Sequence, residues 1–350
     1  MPRPLGVGFL GAGPVTQAIH LPTLARIGEL FTVSHVTDIN PDVAASVAAR
    51  VGARHSTSMD ALLEDPSVEV VAVCSPHQFH ADQVIAACLA NKRAVLCEKP
   101  FAMSAEEASR IADVSAETGV PILVGAMHTF DPGWRAGAAS WGDLPETCHT
   151  IRSSIVLPPN PRFEDVATEV LARPGWPAAD MTDVEVRAAM VHAGVMGLAI
   201  HDLPLVRALL PGFDDLQVHA AATLVPFGYQ IVASSGGRRV ELHGAVTETW
   251  QPSWVFEAYS DDEVLETEFT PSYVQAGSAT TTLRTAGGTR SFGPDTFNGY
   301  EGEWREIAAI VNEQAPAPDL PGLIEDLRFA LKLADQAADV VRHAARGAAA

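Results

Sequence analysis

The chain predicts an α/β domain built on a doubly wound parallel sheet, followed by an α+β domain with an open, mainly antiparallel sheet. Three observations carry that expectation. From residue 5 to about 126, short apolar runs alternate with helical patterns across short connections. Beyond about residue 127, strand-like runs follow one another directly, several of them across tight-turn dipeptides. The 350 residues, 47% hydrophobic and 19% charged, suffice for two ordinary domains with a real core. The expected boundaries are 1–127 and 128–350.

In the first domain strands are expected at Leu5–Leu10, Phe31–Thr37, Val68–Cys74, Ala94–Cys97 and Pro121–Val124. Most are continuous apolar runs, as parallel strands covered on both faces require. Asn40-Pro41 reads as a helix cap followed by a first-turn proline. Ser104-Ala105-Glu106-Glu107 reads as a capping box. In the second domain strands are expected at Thr147–Val156, Gln217–Leu224, Tyr229–Ser234, Arg238–Gly244, Val255–Ser260, Leu265–Phe269, Thr280–Thr285 and Thr289–Phe292. Gly236-Gly237, Asp261-Asp262 and Gly287-Gly288 join several of these as a meander. A helical pattern at Met190–Leu210 interrupts them, a final helical region starts at Gly299, and the Ala-rich tail after Arg342 is expected to fray.

Charge excludes some partners. With 43 acidic against 23 basic residues the formal net charge is −20, which opposes binding to nucleic acid or an anionic membrane surface. No apolar stretch approaches the ~20 residues of a membrane span. The N-terminus leads straight into a strand without a signal-peptide pattern. Cys74, Cys88, Cys97 and Cys148 show neither metal-ligand nor redox-pair spacing. A cytoplasmic protein with no bound metal is the expectation.

The chemistry begins at Gly11-Ala12-Gly13-Pro14-Val15-Thr16, which follows a strand and opens a helix. Gly11 suits a tight turn, and Gly13 lets the backbone approach a pyrophosphate held at the helix N-terminus, with Pro14 and Val15 in its first turn. Thr16 replaces the third glycine of that fingerprint, so looser strand–helix packing is expected there. The second strand ends at Asp38, about 25 residues past Gly13, near the expected place for a ribose-binding acid. Neither Ile39 nor Asn40 supplies an arginine for a 2′-phosphate, which favours NAD, with NADP the alternative. Ser75-Pro76 and His80 follow another strand at the same carboxyl edge and are placed against the nicotinamide half. Glu98-Lys99-Pro100 ends a further strand about 85 residues beyond the glycine turn, and Lys99 is the expected acid/base for a carbon whose hydroxyl proton must move as hydride moves.

Gly11-Ala12-Gly13, His20-Leu21-Pro22, Asp38, Ser75-Pro76 with His80, and Cys97-Glu98-Lys99-Pro100 together resemble one family. It is the glucose-fructose oxidoreductase / inositol 2-dehydrogenase / MocA-like oxidoreductases. The resemblance is specific over about residues 5–135. It implies an N-terminal Rossmann domain, a C-terminal antiparallel sheet through which homo-oligomers (dimers or tetramers) form, and NAD(P)-dependent redox chemistry on a sugar, cyclitol or related polyol. Lys99 is then central, and His201 orients the substrate oxygen or shares its proton.

Two departures from the family are visible. The acid usually found one helical turn before the histidine is Gly197 here, and the later acid is Pro204. Gly194 and Gly197 are expected to leave space on that face, with His192 or Asp202 as candidate replacement groups, Asp202 being a poor direct substitute at about 100° around the helix from His201. Where relatives place an amide and an arginine, this chain has Met127, His128 and Thr129. Arg162, Arg173 and Trp176 lie in a proline- and acid-rich stretch, 157–183, read as a lid. Loss of the helix acid leaves two other readings: a cofactor-binding sensor or non-catalytic partner subunit, or elimination or glycoside cleavage through transient oxidation.

Overall fold

A computed structural model describes residues 3–173, 175 and 179–348. The chain splits into two compact units that are not contiguous in sequence. The first comprises Met1–Gly125, Phe163–Gly175 and Tyr300–Leu327; the second comprises Ala126–Arg162, Trp176–Gly299 and Arg328–Ala350. The boundary expected at 127/128 therefore differs from the observed division, because two later segments return to the first unit. Neither carries a strand of the alternating pattern from which the boundary was read.

The first unit holds six strands: β1 (Leu5–Leu10), β2 (Phe31–Thr37), β3 (Arg54–Ser56), β4 (Val70–Val73), β5 (Ala94–Glu98) and β6 (Ile122–Gly125). They pair in parallel in the order β3-β2-β1-β4-β5-β6. Strand order reverses between β1 and β4, so the carboxyl ends of these two strands flank the crevice where such sheets bind ligands. Every residue of β1 and of β4 is buried, which explains their uninterrupted apolar runs. Strand β3 was not expected; its three residues are polar and largely exposed, so no apolar run marks it. Caps form largely as read. Asn40 Oδ1 accepts from the amides of Asp42 and Val43. Ser104 accepts from Glu107 N at 3.1 Å, but the Glu107 carboxylate reaches back to the amide of Met103, one residue further than a regular capping box.

The second unit holds eight strands: β7 (Thr150–Leu157), β8 (Gln217–Thr223), β9 (Phe227–Ser235), β10 (Arg238–Val246), β11 (Ser253–Tyr259), β12 (Glu263–Glu268), β13 (Thr280–Thr285) and β14 (Gly288–Phe292). Their order is β14-β13-β12-β11-β7-β10-β9-β8. Two meanders therefore flank β7, which pairs parallel to β10 and antiparallel to β11. One face is core: Ile151, Ile155, Leu242, Trp254, Phe256 and Leu265 are all buried. Gly236 and Gly237 both adopt left-handed backbone, at φ 57° and 76°, as the two-residue hairpin between β9 and β10 requires.

The helical pattern expected as one stretch at Met190–Leu210 is broken. A helix runs over Val184–Gly197, a 3-10 turn over Ala199–His201, and a further helix over Leu203–Ala208. Pro204 sits in the first turn of the last piece, where its missing N–H costs nothing. The C-terminal helix runs over Leu320–Ala348, past Arg342 to the last described residue. Among the described residues no helix is long and apolar enough to cross a membrane.

Candidate functional site

The glycine turn follows β1 directly. Gly11 has φ 99°, and a Cβ there would lie 2.7 Å from the Cys74 carbonyl oxygen, so only glycine fits. At Gly13 an added Cβ would meet nothing within 4 Å. The fold itself does not need that glycine; bare backbone beside open space is a cradle suited to a phosphate. The carboxylate of Asp38, at the end of β2, accepts from the amide of Ala12 at 2.9 Å and from Asn40 N at 2.9 Å. It thus ties the two loops together while keeping lone pairs for ribose hydroxyls. Ile39 beside it is 95% exposed, an apolar platform next to that acid.

Thr16 does not loosen this turn. Its side chain is fully buried and its hydroxyl donates to the Gly11 carbonyl at 2.7 Å. The backbone takes a wider π turn over Thr16–His20, which coincides with the side chain standing where the fingerprint has glycine. Gln17, also buried, donates to the Ala12 and Leu171 carbonyls at 2.7 and 3.1 Å and accepts from Leu171 N at 2.9 Å. The 163–175 segment is thereby tied to the glycine turn. Arg173 in that segment pairs with Glu164 and Asp165. Trp176, the other residue expected in a lid, lies outside the described residues.

Glu98 ends β5, and Lys99, partly buried, follows it. The Trp304 indole donates to His20 Nδ1 at 3.1 Å. An indole N–H only donates, so His20 carries its proton on Nε2 and donates it to Glu98 Oε1 at 3.0 Å. Burial raises the Glu98 acid, but this hydrogen bond, the imidazole and the Lys99 ammonium together hold it below the usual carboxylate range. Burial lowers Lys99 from the ordinary lysine value, against the opposing pull of Glu98. Glu303, from the helix Gly299–Val311, is fully buried with Oε1 4.0 Å from His20 Nδ1, and neither of its carboxyl oxygens has a hydrogen-bond partner among the described residues. Burial, reinforced by the Glu98 charge, pushes it well above the usual range. His20, Glu98 and Glu303 bring three potential ligand atoms within 4.8 Å of one another. Both ring nitrogens of His20 are already engaged, Nδ1 by the Trp304 indole and Nε2 by Glu98.

His80 corrects an expectation. Its ring is fully buried, and its nitrogens lie 2.8 Å from the Pro100 carbonyl and 2.7 Å from the Ser75 carbonyl. It braces the Lys99-Pro100 turn against the Ser75-Pro76 turn and has no ring nitrogen left for a cofactor. Ser75 donates to Gln83 at 2.6 Å, and Pro76 is exposed at the same edge.

In the second unit the structure assembles a group that sequence spacing does not show. The Asp202 carboxylate is fully buried and accepts three hydrogen bonds: from His128 Nδ1 at 2.6 Å, Ser153 Oγ at 2.5 Å and Trp254 Nε1 at 2.9 Å. The His128 ring stacks on Phe269 with centroids 3.6 Å apart and lies 6.1 Å from the ring of His201. His201 Nδ1 is 2.9 Å from Met127 Sδ. His201 sits on a 3-10 turn, not on the helix that ends at Gly197, so spacing by four does not place the two on one helix face. A Cβ at Gly197 would meet nothing within 4 Å, whereas one at Gly194 would strike the Tyr229 ring at 2.7 Å. Gly194 is thus a packing glycine and leaves no space. Arg162 and His192 are occupied elsewhere: the first donates to the carbonyls of Thr249 and Trp250, the second lies 3.5 Å from Asp335.

Residues 5–126 match the family model described as an oxidoreductase family with an NAD-binding Rossmann fold. Inositol 2-dehydrogenase from Acidothermus cellulolyticus is 30% identical over 251 residues, 67% of this chain and 71% of that protein. The chain belongs to the glucose-fructose oxidoreductase / inositol 2-dehydrogenase / MocA-like family. Its first unit is the NAD(P)-binding Rossmann domain of that family. Inositol 2-dehydrogenase 3 from Saccharopolyspora erythraea is 39% identical over 130 residues, 37% of this chain and 38% of the relative, so that match spans well under half of either protein. Among solved structures, levoglucosan dehydrogenase in complex with NADH and levoglucosan superposes with a TM-score of 0.72 at 16% identity, covering 96% of this chain and 98% of the other. UDP-N-acetylglucosamine 3-dehydrogenase from Acidithiobacillus ferrooxidans does so at 0.71 and 18% identity, covering 96% and 99%. These two show the shared fold.

Within this family the residues that sequence reasoning left without a role are His20, Gln17, Glu303 and Trp304. His20-Leu21-Pro22 was visible as a motif, but its task depends on Trp304, 284 residues away. Glu303 and Trp304 lie in a helix that also carries Glu301, Arg305 and Glu306, so nothing in its sequence singles them out.

Proposed function

We propose that this protein transfers a hydride between NAD(H) and a secondary alcohol or ketone of a sugar, cyclitol or related polyol, with Lys99 as the acid/base. The observation that carries the reading is Lys99 itself. It lies at the carboxyl end of β5, is partly buried, and its amine is shifted below the ordinary lysine value by that burial. When bound, the nicotinamide supplies the hydride acceptor or donor. Lys99 takes the hydroxyl proton in oxidation and returns it in reduction. His20 holds Glu98 through one oxygen, so the charge that favours the Lys99 ammonium stays fixed in place. Gly11, Gly13, Pro14 and Val15 form the phosphate cradle. The Asp38 carboxylate favours ribose hydroxyls over a 2′-phosphate, which supports NAD over NADP. His201 is assigned to orienting the substrate oxygen. The cytoplasm fits four free thiols, and a homo-oligomer through the second unit's sheet completes the reading.

The test is a steady-state assay with NAD and a panel including myo-inositol and levoglucosan, followed by the absorbance of the reduced nicotinamide. Turnover on at least one member is expected. Cofactor binding without any turnover would replace this reading by a sensor, and product without net cofactor consumption by redox-assisted elimination or cleavage. Oxidation requires the neutral amine, so its rate rises with pH through the lowered Lys99 pKa, while reduction, which requires the ammonium, falls over the same range.

A further inference from the structure

We propose that the Asp202–His128 pair is a hydroxyl-reading dyad that stands in for the carboxylate missing at Gly197. The proposal rests on the polyol reading above and adds which group recognises the substrate. A carboxylate only accepts hydrogen bonds, so the 2.6 Å contact puts a proton on His128 Nδ1. In the proposed neutral ring the other nitrogen, Nε2, is a lone-pair acceptor with no hydrogen-bond partner among the described residues. The residue as a whole is 3% exposed. Phe269 stacked on one side and Trp254 edge-on at 4.6 Å hold the ring plane. A fixed acceptor on a rigid ring selects a hydroxyl by its position.

The three bonds to Asp202 are divided unevenly, which yields a sharp test. Ser153 and Trp254 both donate to Oδ2, while His128 alone donates to Oδ1. In Asp202→Asn the amide oxygen takes the side that receives two donors, because the indole cannot accept. The amide NH2 then faces His128 Nδ1 and forces the ring into the Nε2–H tautomer. Nitrogen-15 NMR of the imidazoles should show Nδ1–H in the wild type and Nε2–H in the variant. A merely structural pair would not couple this flip to ligand. Calorimetry on the NADH-loaded protein with whichever of myo-inositol or levoglucosan binds should show affinity falling about tenfold or more in Asp202→Asn. The same loss is expected in His128→Asn, which keeps a donor for Asp202 but has no Nε2, with cofactor affinity unchanged in both. An Nε2–H tautomer in the wild type, or full polyol affinity in folded His128→Asn, overturns the dyad and leaves the dehydrogenase reading intact. Failure of the wild type to bind or turn over any polyol overturns that reading, and the dyad falls with it.

Discussion

Lys99 and Glu303 are both pushed toward their neutral forms by burial, one from above and one from below. For Glu303 this has a measurable cost. Its native pKa is raised above the ordinary 4.5, so the acid is protonated in both states at low pH and ionises first in the unfolded chain as pH rises. Wild-type stability therefore falls by about 1.4 kcal/mol per pH unit from that single group between its unfolded and folded pKa values. Glu303→Gln, which does not titrate, should match the wild type near pH 4 and exceed it increasingly toward neutrality in chemical denaturation. A stability difference independent of pH would show that the acid is ionised in the native protein. Asp38→Ala should weaken NAD by about tenfold or more and improve the relative standing of NADP, read from the two dissociation constants. Unchanged preference would remove Asp38 from the ribose site. Asp38 was legible in the sequence because its place relative to the glycine turn is set by one helical stretch, 16–26, and one strand, Phe31–Thr37. The His20–Trp304 and His128–Asp202 contacts were not, since each joins residues whose separation carries no periodic signal.

At the scale of elements, the glycine turn separates folding from binding. Gly11→Ala meets both a left-handed backbone and the Cys74 carbonyl, so it should destabilise the protein by about 2 kcal/mol or more in thermal or chemical denaturation. Gly13→Ala meets open space, so its stability should be near wild type while its affinity for NAD drops, the added methyl standing where the phosphates approach. Equal loss of stability in both would mean the cradle is structural only. Strands were readable as apolar runs and helices from their caps, which is why Asn40 and Ser104 mark helix starts in the structure. The break after Gly197 was not readable, because Met190–Leu210 keeps helical apolar spacing through it and only Pro204 hints at a new start. Strand β7 likewise gave no sign that it would lie between two meanders, since pairing partners are chosen across the sheet and not along the chain.

For the whole molecule, strand–helix alternation identified the Rossmann unit, but the return of 163–175 and 300–327 to it had no marker in composition. The sheet of the second unit has one buried face, and its other face carries Arg152 paired with Glu241 at 2.7 Å and Arg284 paired with Glu266 at 2.8 Å. If copies assemble through that face, Glu241→Lys sets a third positive charge beside Arg152 and Arg239 on it and should shift sedimentation toward the monomer; an unchanged assembly would locate the contact elsewhere. The account as a whole rests on the Lys99 amine, and Lys99→Ala assayed beside the wild type with NAD and the active polyol tests it most directly. The expected result is a loss of about a hundredfold or more in kcat, with NAD affinity nearly intact. A variant that binds NAD equally well and still turns over at close to the wild-type rate would contradict it.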